Sequence, residues 1–519
     1  MTVQSVLASR HVVATADHRA SRAAVAAFTR GGNAVDAAIA ANAAIAVTSP
    51  HLCGLGGDLF ALVHTPAGEV IGLNASGRAG SRSDAAVLRA AGHPRMPMRH
   101  DVRTVTAPGC VDGWQALHER FGRLGLREIL APAIELAEQG FRAGPLADAL
   151  GSLDAAGRAA LPELADQANR PAARVRRPGV ARTLRGIAEH GREAFYAGEF
   201  AAGLVALDGS PFTAADLRAS HADWVDTLSH DVFGSRVHTL GPNSQGYLVL
   251  AIAGLAERLG LPDDPTDPAW AHLLIEAAKV ASSDRHEVLY DGADGSWLLS
   301  RALARGAMVH PARATPTAAP TADGDTTYLC AADAEGWAVS LIQSNAAGFG
   351  AYLVEPGTGI NLHNRGLGFS LIPGHPAELA PGRRPPHTLA PAMVMRADRL
   401  YGVLGTMGGD AQPQIVAQLL ARLLHNGQDV TEAVLAPRWV LRGPTGGFGT
   451  WHGDPPTVVV EDGAPDEWLG ELRRLGHRVA RGPALSGEFG HAQAITVDTD
   501  DTFAAAADPR AVGSAAAGH

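Results

Sequence analysis

The chain has 519 residues, 46% hydrophobic and 18% charged, which suits one large or two medium folded units and excludes a disordered chain. Its net charge of −10 is spread out with no basic stripe, so nucleic acid finds no electrostatic footprint. No apolar run is long enough to span a bilayer, so no membrane partner is expected.

The opening, MTVQSVLASRHVVATADHRAS, lacks the charged start and apolar run of a signal peptide. Cys53, Cys110 and Cys330 lie far apart without metal-ligand spacing. They read as small buried hydrophobes in a reducing compartment, the cytoplasm, and imply neither disulfide frame nor metal site. Gly31-Gly32-Asn33 separates two alanine-rich helices. Asn33 is placed to cap the second, with Asp36 three residues on, and AVDAAIAANAAIAV is apolar all round, so this helix should be buried. It stops at Ser49-Pro50-His51. The glycine-rich turn Cys53–Asp58 follows a helix and precedes the strand LFALVHT, the reverse of a nucleotide-binding loop, and is not read as one. Residues 111–141 and 180–217 carry mostly amphipathic helical patterns, and further helices are predicted at 247–259 and 270–283.

Residues 311–325, PARATPTAAPTADGD, have no helical or strand period and almost no apolar content beyond alanine, which predicts a mobile surface tether. The text then changes to TTYLCAADAEGWAVSLIQSN, two β-rich runs around the turn Ala334-Glu335-Gly336. Beyond it the pattern is mainly strands and turns, with one clear helix at about 413–424. A threonine opening a strand at the end of a slack tether is what a self-processing hydrolase needs. The Thr326 hydroxyl attacks the Asp325 carbonyl, the acyl group moves to oxygen, and Thr326 becomes a new N-terminus. Its amino group, with a reference pKa of about 7.7–8.0, then serves as base for its own hydroxyl. No metal or organic cofactor is called for.

Several separated motifs in order carry a resemblance. They are GGNAVDAAIAANAAIAVTSPHLCGLGGDLFALVH from Gly31, TAPGCVDGWQALHERFG from Thr106 and LAPAIELAEQGF from Leu130. TTYLCAADAEGWAVSLIQSN from Thr326, PGTGINLHN from Pro356, RPPHTLAPAMV from Arg384, GTMGGDAQPQ from Gly405 and GHAQAITVDTD from Gly490 continue it. Over nearly its whole length the chain resembles the γ-glutamyltransferase family of N-terminal-nucleophile hydrolases. The resemblance implies an α+β fold, a four-layer αββα sandwich formed jointly by both parts of one precursor. Residues 1–325 would form a large fragment and 326–519 a small one, the two staying associated; a higher oligomer is left open. Thr326 aligns with the nucleophile. Ser344 aligns with a second hydroxyl near the nucleophile's amino group. Gly408 and Gly409 align with the oxyanion-hole pair, and they precede a helix whose positive end suits an oxyanion. Arg78, in ASGRAGS, aligns with the arginine that grips the substrate carboxylate, a task suited to a guanidinium fork.

The departures matter as much. The γ-glutamyl enzymes carry an Asn-Asn stretch and then an aspartate, just before a Phe, that holds the substrate's α-ammonium. Here the stretch is His363-Asn364-Arg365-Gly366-Leu367-Gly368-Phe369, with Gly368 at the aspartate position and Arg365 adding positive charge; Asn364 and Arg365 are expected to contact the substrate. The family's serine pair, which helps bind the substrate carboxylate, becomes His387-Thr388. The carboxylate grip is retained and the ammonium grip lost, which points to a small-molecule amide donor with a carboxylate and no α-amino group. Three alternatives stay open: a γ-glutamyl hydrolase or transpeptidase acting on glutathione-like substrates, a hydrolase cleaving a C–C bond beside an oxalyl group, and an inactive ligand-binding scaffold.

Overall fold

A computed structural model describes residues 5–316, 324–443 and 456–519. Residues 317–323, the middle of the expected tether, lie outside the described residues.

Two antiparallel sheets of seven strands form the centre. One runs in the order Val6–Ala8, Phe503–Ala507, Ala492–Val497, Arg399–Thr406, Ala392–Arg396, Ser235–Leu240, Thr227–Val232. The other runs Ala515–Gly518, His11–Thr15, Asp325–Asp333, Ala338–Ala346, Asp58–His64, Val70–Ala75, Asp223–Val225. Each sheet mixes strands from before and after Thr326, so the two parts of the sequence, different as they look in composition, share one sandwich.

The alternation of a strand explains the layering. In Asp325–Asp333, Tyr328, Cys330 and Ala332 point between the sheets, meeting Phe60, Met393, Val403 and Ile495. Leu329 and Ala331 point the other way, into a core shared with the helix Ala34–Thr48. All fifteen residues of that helix are buried, and Asn33 and Asp36 form the expected capping box. The outer face of the other sheet is covered by the helices Tyr247–Leu259, Pro268–Ser282 and Gln412–Leu420. The order is helix, sheet, sheet, helix: the αββα sandwich.

Other expectations hold in detail. The span 111–141 covers the helices Cys110–Phe121 and Leu126–Gln139, and 180–217 covers four more, Pro178–His190, Glu193–Tyr196, Glu199–Ala206 and Ala214–Arg218. The hairpin turns at Gly336, φ 92°. Among the described residues after Thr326, the structure adds two α-helices to the one expected, Val430–Leu435 and Asp466–Arg474. All three cysteines are buried and free.

Candidate active site

Thr326 sits one residue into its strand, at a bulge in the pairing between the strands Asp325–Asp333 and Ala338–Ala346. It is 1% exposed, and its hydroxyl donates to Ser344 Oγ at 3.1 Å. Ser344 comes from the far end of the neighbouring strand, which the hairpin folds back beside the nucleophile. Its own hydroxyl donates to the Asp325 carbonyl oxygen at 2.8 Å. That is the carbonyl a nucleophilic Thr326 would attack.

Arg365 closes the ring. It is 2% exposed, and its guanidinium donates from Nη2 to Ser344 Oγ and from Nη1 to Thr388 Oγ1, each at 3.1 Å. Behind it lies Asp58, fully buried at the start of its strand. Asp58 Oδ1 accepts from Gly77 N at 3.0 Å, and Oδ2 accepts from His387 Nε2 at 3.0 Å, with Arg365 Nε 3.9 Å away. Burial alone would raise this carboxyl, but His363, His387 and Arg365 outweigh it and bring it down to about 2. Burial first, then Arg365, pushes His387 down to about 3, and burial lowers His363 as well. Both imidazoles are therefore neutral at pH 7. Burial also brings Arg365 down to about 10, still protonated, so the charge opposite Asp58 is Arg365.

The glycine-rich turn before Asp58 has a role the sequence reading did not assign. A Cβ on Gly57 would stand 2.5 Å from the Ser344 carbonyl oxygen, and one on Gly56 would stand 2.3 Å from the Asn361 carbonyl oxygen. The glycines let the turn lie against the backbone of Ser344 and hold it in place.

Gly408 and Gly409 adopt φ 138° and 54°, values that favour glycine, just before the helix Gln412–Leu420. Gly408 shares with Asp325 the lining of a cavity of about 570 Å³. A second cavity, about 690 Å³, is lined by Asp325, Gly348, Phe349 and Tyr352. His51 and Asp325 border both. Two side chains from the earlier part of the sequence brace the glycine loop. Gln245 Nε2 donates to the Gly409 and Thr388 carbonyls at 3.1 and 2.8 Å. Arg285, 2% exposed, pairs with Asp410 at 3.0 Å. Neither drew notice in the sequence, where each is a single polar residue without a motif.

The structure thus links Thr326, Ser344, Arg365 and Thr388 by hydrogen bonds, with Gly408 on a cavity shared with Asp325 and Gly409 tied to Thr388 through Gln245. It uses three other expected residues differently. Arg78 lines neither cavity. Gly77 faces inward, its N–H on Asp58, and a Cβ there would fall 1.4 Å from the Ala107 carbonyl oxygen. The chain then turns Arg78 outward to Asp223 at 3.0 Å and Asp291 at 3.7 Å, about a third exposed. Asn364 spends both ends of its amide on backbone, accepting from Ala347 N and donating to Met98 O. His387 gives its Nε2 proton to Asp58 and takes the Leu389 N–H on Nδ1, so it supports the Arg365 pocket from behind.

Among the described residues, His272, Glu276 and His477 come close enough to hold a metal ion. Their atoms are already engaged: His477 and His272 bond each other at 2.9 Å, and Lys279 Nζ donates to Glu276 at 2.7 Å.

A buried threonine near the head of a sandwich strand, with a neighbouring hydroxyl on the carbonyl that precedes it, fits an N-terminal-nucleophile hydrolase. The family model described as gamma-glutamyltranspeptidase matches residues 20–518, and the chain belongs to that family. It is 37% identical to the oxamate amidohydrolase proenzyme of Klebsiella pneumoniae subsp. pneumoniae, over 98% of this chain and 98% of the relative. It is 34% identical to the glutathione hydrolase-like YwrD proenzyme of Bacillus subtilis, over 99% of each chain. A crystal structure of cephalosporin acylase from Bacillus halodurans superposes with a TM-score of 0.90 at 33% identity, covering 100% of this chain and 97% of that one.

Proposed function

We propose that this enzyme cleaves itself before Thr326 and then hydrolyses, or transfers the acyl group of, a small amide that carries a carboxylate and no α-amino group. The single observation that carries the reading is Arg365, a buried cation hydrogen-bonded to both Ser344 and Thr388. A substrate ammonium placed there meets a like charge in a dry pocket. A carboxylate there gains paired, charge-assisted hydrogen bonds. The alternative anion, at Gly368, is excluded by space as well as by sequence: a Cβ there would stand 2.3 Å from the Pro386 carbonyl oxygen.

Length supports a short acyl group. Thr326 Oγ1 and Arg365 Nη2 each lie 3.1 Å from the same Ser344 oxygen. They are therefore no more than about 6 Å apart, and a charge-assisted hydrogen bond of about 2.8 Å takes up part of that span. Oxalyl and succinyl groups fit more readily than glutaryl. Similarity to a protein named oxamate amidohydrolase supports the same class.

The test is a panel of oxalyl, succinyl, glutaryl and γ-glutamyl anilides offered to purified protein, with amine release followed. At about 4 Å and an effective dielectric near 20, a unit charge pair is worth about 4 kcal/mol. Discounted for the ionised Asp58 behind Arg365 and for the water a substrate brings, this predicts at least about tenfold higher kcat/KM for amides lacking the α-amino group. Thr326→Ala should stay a single band on a denaturing gel and turn over none of them. A clear native preference for the γ-glutamyl compound would sink the reading.

A further inference from the structure

Ser344 donates to the oxygen that takes up charge when Thr326 attacks, and it is not left to its own acidity. Its oxygen receives three donors: Ala346 N–H at 2.8 Å, Arg365 Nη2 at 3.1 Å and the Thr326 hydroxyl at 3.1 Å. A hydroxyl oxygen has two lone pairs for them. Each donor draws electron density from the O–H bond and so strengthens the bond that Ser344 itself gives, a charged donor more than a neutral one. Arg365 is held at this post from behind, with Asp58 beside its Nε and Thr388 on its other nitrogen.

We propose that Arg365 has a second task, activating Ser344 as the hydrogen-bond acid of self-cleavage. The inference rests on the reading that the chain cleaves before Thr326, and it is separate from substrate choice. In the first step Thr326 Oγ1 bonds to the Asp325 carbonyl carbon. The Thr326 proton passes to Ser344 Oγ while the Ser344 proton passes to the Asp325 oxygen, leaving a neutral five-membered adduct. That adduct collapses: the C=O re-forms, its proton goes to the Thr326 nitrogen, and the C–N bond breaks. The product is an ester on Thr326 Oγ1 and a free amine. Water then adds to the ester carbon, the C–Oγ1 bond breaks, Asp325 leaves as a carboxylic acid that ionises, and Thr326 regains its hydroxyl proton. Ser344 touches the reacting carbonyl and is the catalytic group; Arg365 acts through it and is a positioning residue.

A double-mutant cycle on the full-length chain, made by pulsed cell-free synthesis, separates this from a structural role. Fragment appearance is timed on denaturing gels for wild type, Arg365→Gln, Ser344→Ala and the double variant, with thermal melting of each. Arg365→Gln should slow cleavage by about tenfold or more when Ser344 is present, and by less than about twofold when Ser344 is alanine. Hydroxylamine, which cleaves an accumulated ester, should not rescue Arg365→Gln, because the impaired step precedes the ester. Arg365→Lys, which keeps the charge but not the fork, goes through the same cycle and should be intermediate; it decides if the Gln variant melts early. Equal slowing in both Ser344 backgrounds, or cleavage of Arg365→Gln at the wild-type rate, overturns the proposal. A wild type that never cleaves before Thr326 overturns instead the reading beneath it.

Discussion

Gly57→Ala is the smallest change that should reach the nucleophile without touching it. The backbone at Gly57 is not in the left-handed region, so an alanine meets a problem of space alone. Its Cβ would stand 2.5 Å from the Ser344 carbonyl oxygen and 2.8 Å from Asn345 Oδ1. Ordinary carbon–oxygen contact begins near 3.4 Å, so Ser344 must withdraw by about 0.9 Å or the turn must yield by as much. Asp58, the next residue, pairs with Ser344 in the sheet, so displacement of either strand end alters their register. A misplacement of about 1 Å at a reacting group costs about a hundredfold. Overpacking of this size costs about 1–3 kcal/mol, which a protein of this size should survive folded. We expect self-cleavage, timed by fragment appearance, and kcat of the mature fraction each to fall ten- to a hundredfold, roughly. Gly151→Ala, where nothing lies within 4 Å, is the control and should change neither. If Gly57→Ala folds and cleaves within about twofold of wild type, the turn does not set the position of Ser344, and the reasoning fails.

Two other outcomes follow from the same pocket. Burial, then Arg365, holds His387 at about 3 against an ordinary 6.5, so between these values the unfolded chain binds a proton that the folded chain refuses. Stability therefore falls as pH drops below about 6.5, by about 1.4 kcal/mol for one such histidine at pH 5.5, and the thermal midpoint should be lower there than at pH 7; an unchanged midpoint would contradict the buried neutral ring. Gly368→Asp, which restores the γ-glutamyl aspartate by sequence, should fail to confer γ-glutamyl preference in the substrate panel, because its Cβ meets the Pro386 carbonyl oxygen at 2.3 Å. A folded Gly368→Asp enzyme that prefers the γ-glutamyl anilide would show that this wall gives way.

What was legible in the sequence was what periodicity and motif order encode. The apolar run 34–48 has only one way to be satisfied, inside, and Asn33 with Asp36 marks its start. The hairpin after Thr326 follows from two β-rich runs and a glycine. Motif order pointed to Ser344 as a neighbour of Thr326, and the two hydroxyls are hydrogen-bonded. The direction of the Arg78 side chain was not legible, because matching a motif locates a stretch of chain and not where each side chain points. Gly77 takes the inward place on Asp58, and the neighbouring arginine consequently faces outward to Asp223. Asp58 left a faint signal, a lone acid opening an otherwise apolar strand. Gln245 and Arg285 left none, since their roles arise only from contacts across about 160 and 125 residues of sequence.

These long-range contacts bear on what cleavage does. Asp58, Gln245 and Arg285 precede Thr326, while Arg365, Thr388, Gly409 and Asp410 follow it. The pairings of Asp58 with Arg365 and His387, of Gln245 with Thr388 and Gly409, and of Arg285 with Asp410 all cross the proposed break. Both sheets cross it as well, strand against strand. None of these contacts uses the peptide bond between Asp325 and Thr326. Breaking that bond would free the threonine's amine without using up any of these contacts, so the charge on Arg365 and the brace on Gly409 would stay in place. On both proposals the guanidinium that primes Ser344 against the chain's own carbonyl would then be available to a carboxylate brought by substrate. On this argument, processing and substrate choice are two uses of one buried charge, which is why a substitution at Arg365 should be read in both assays.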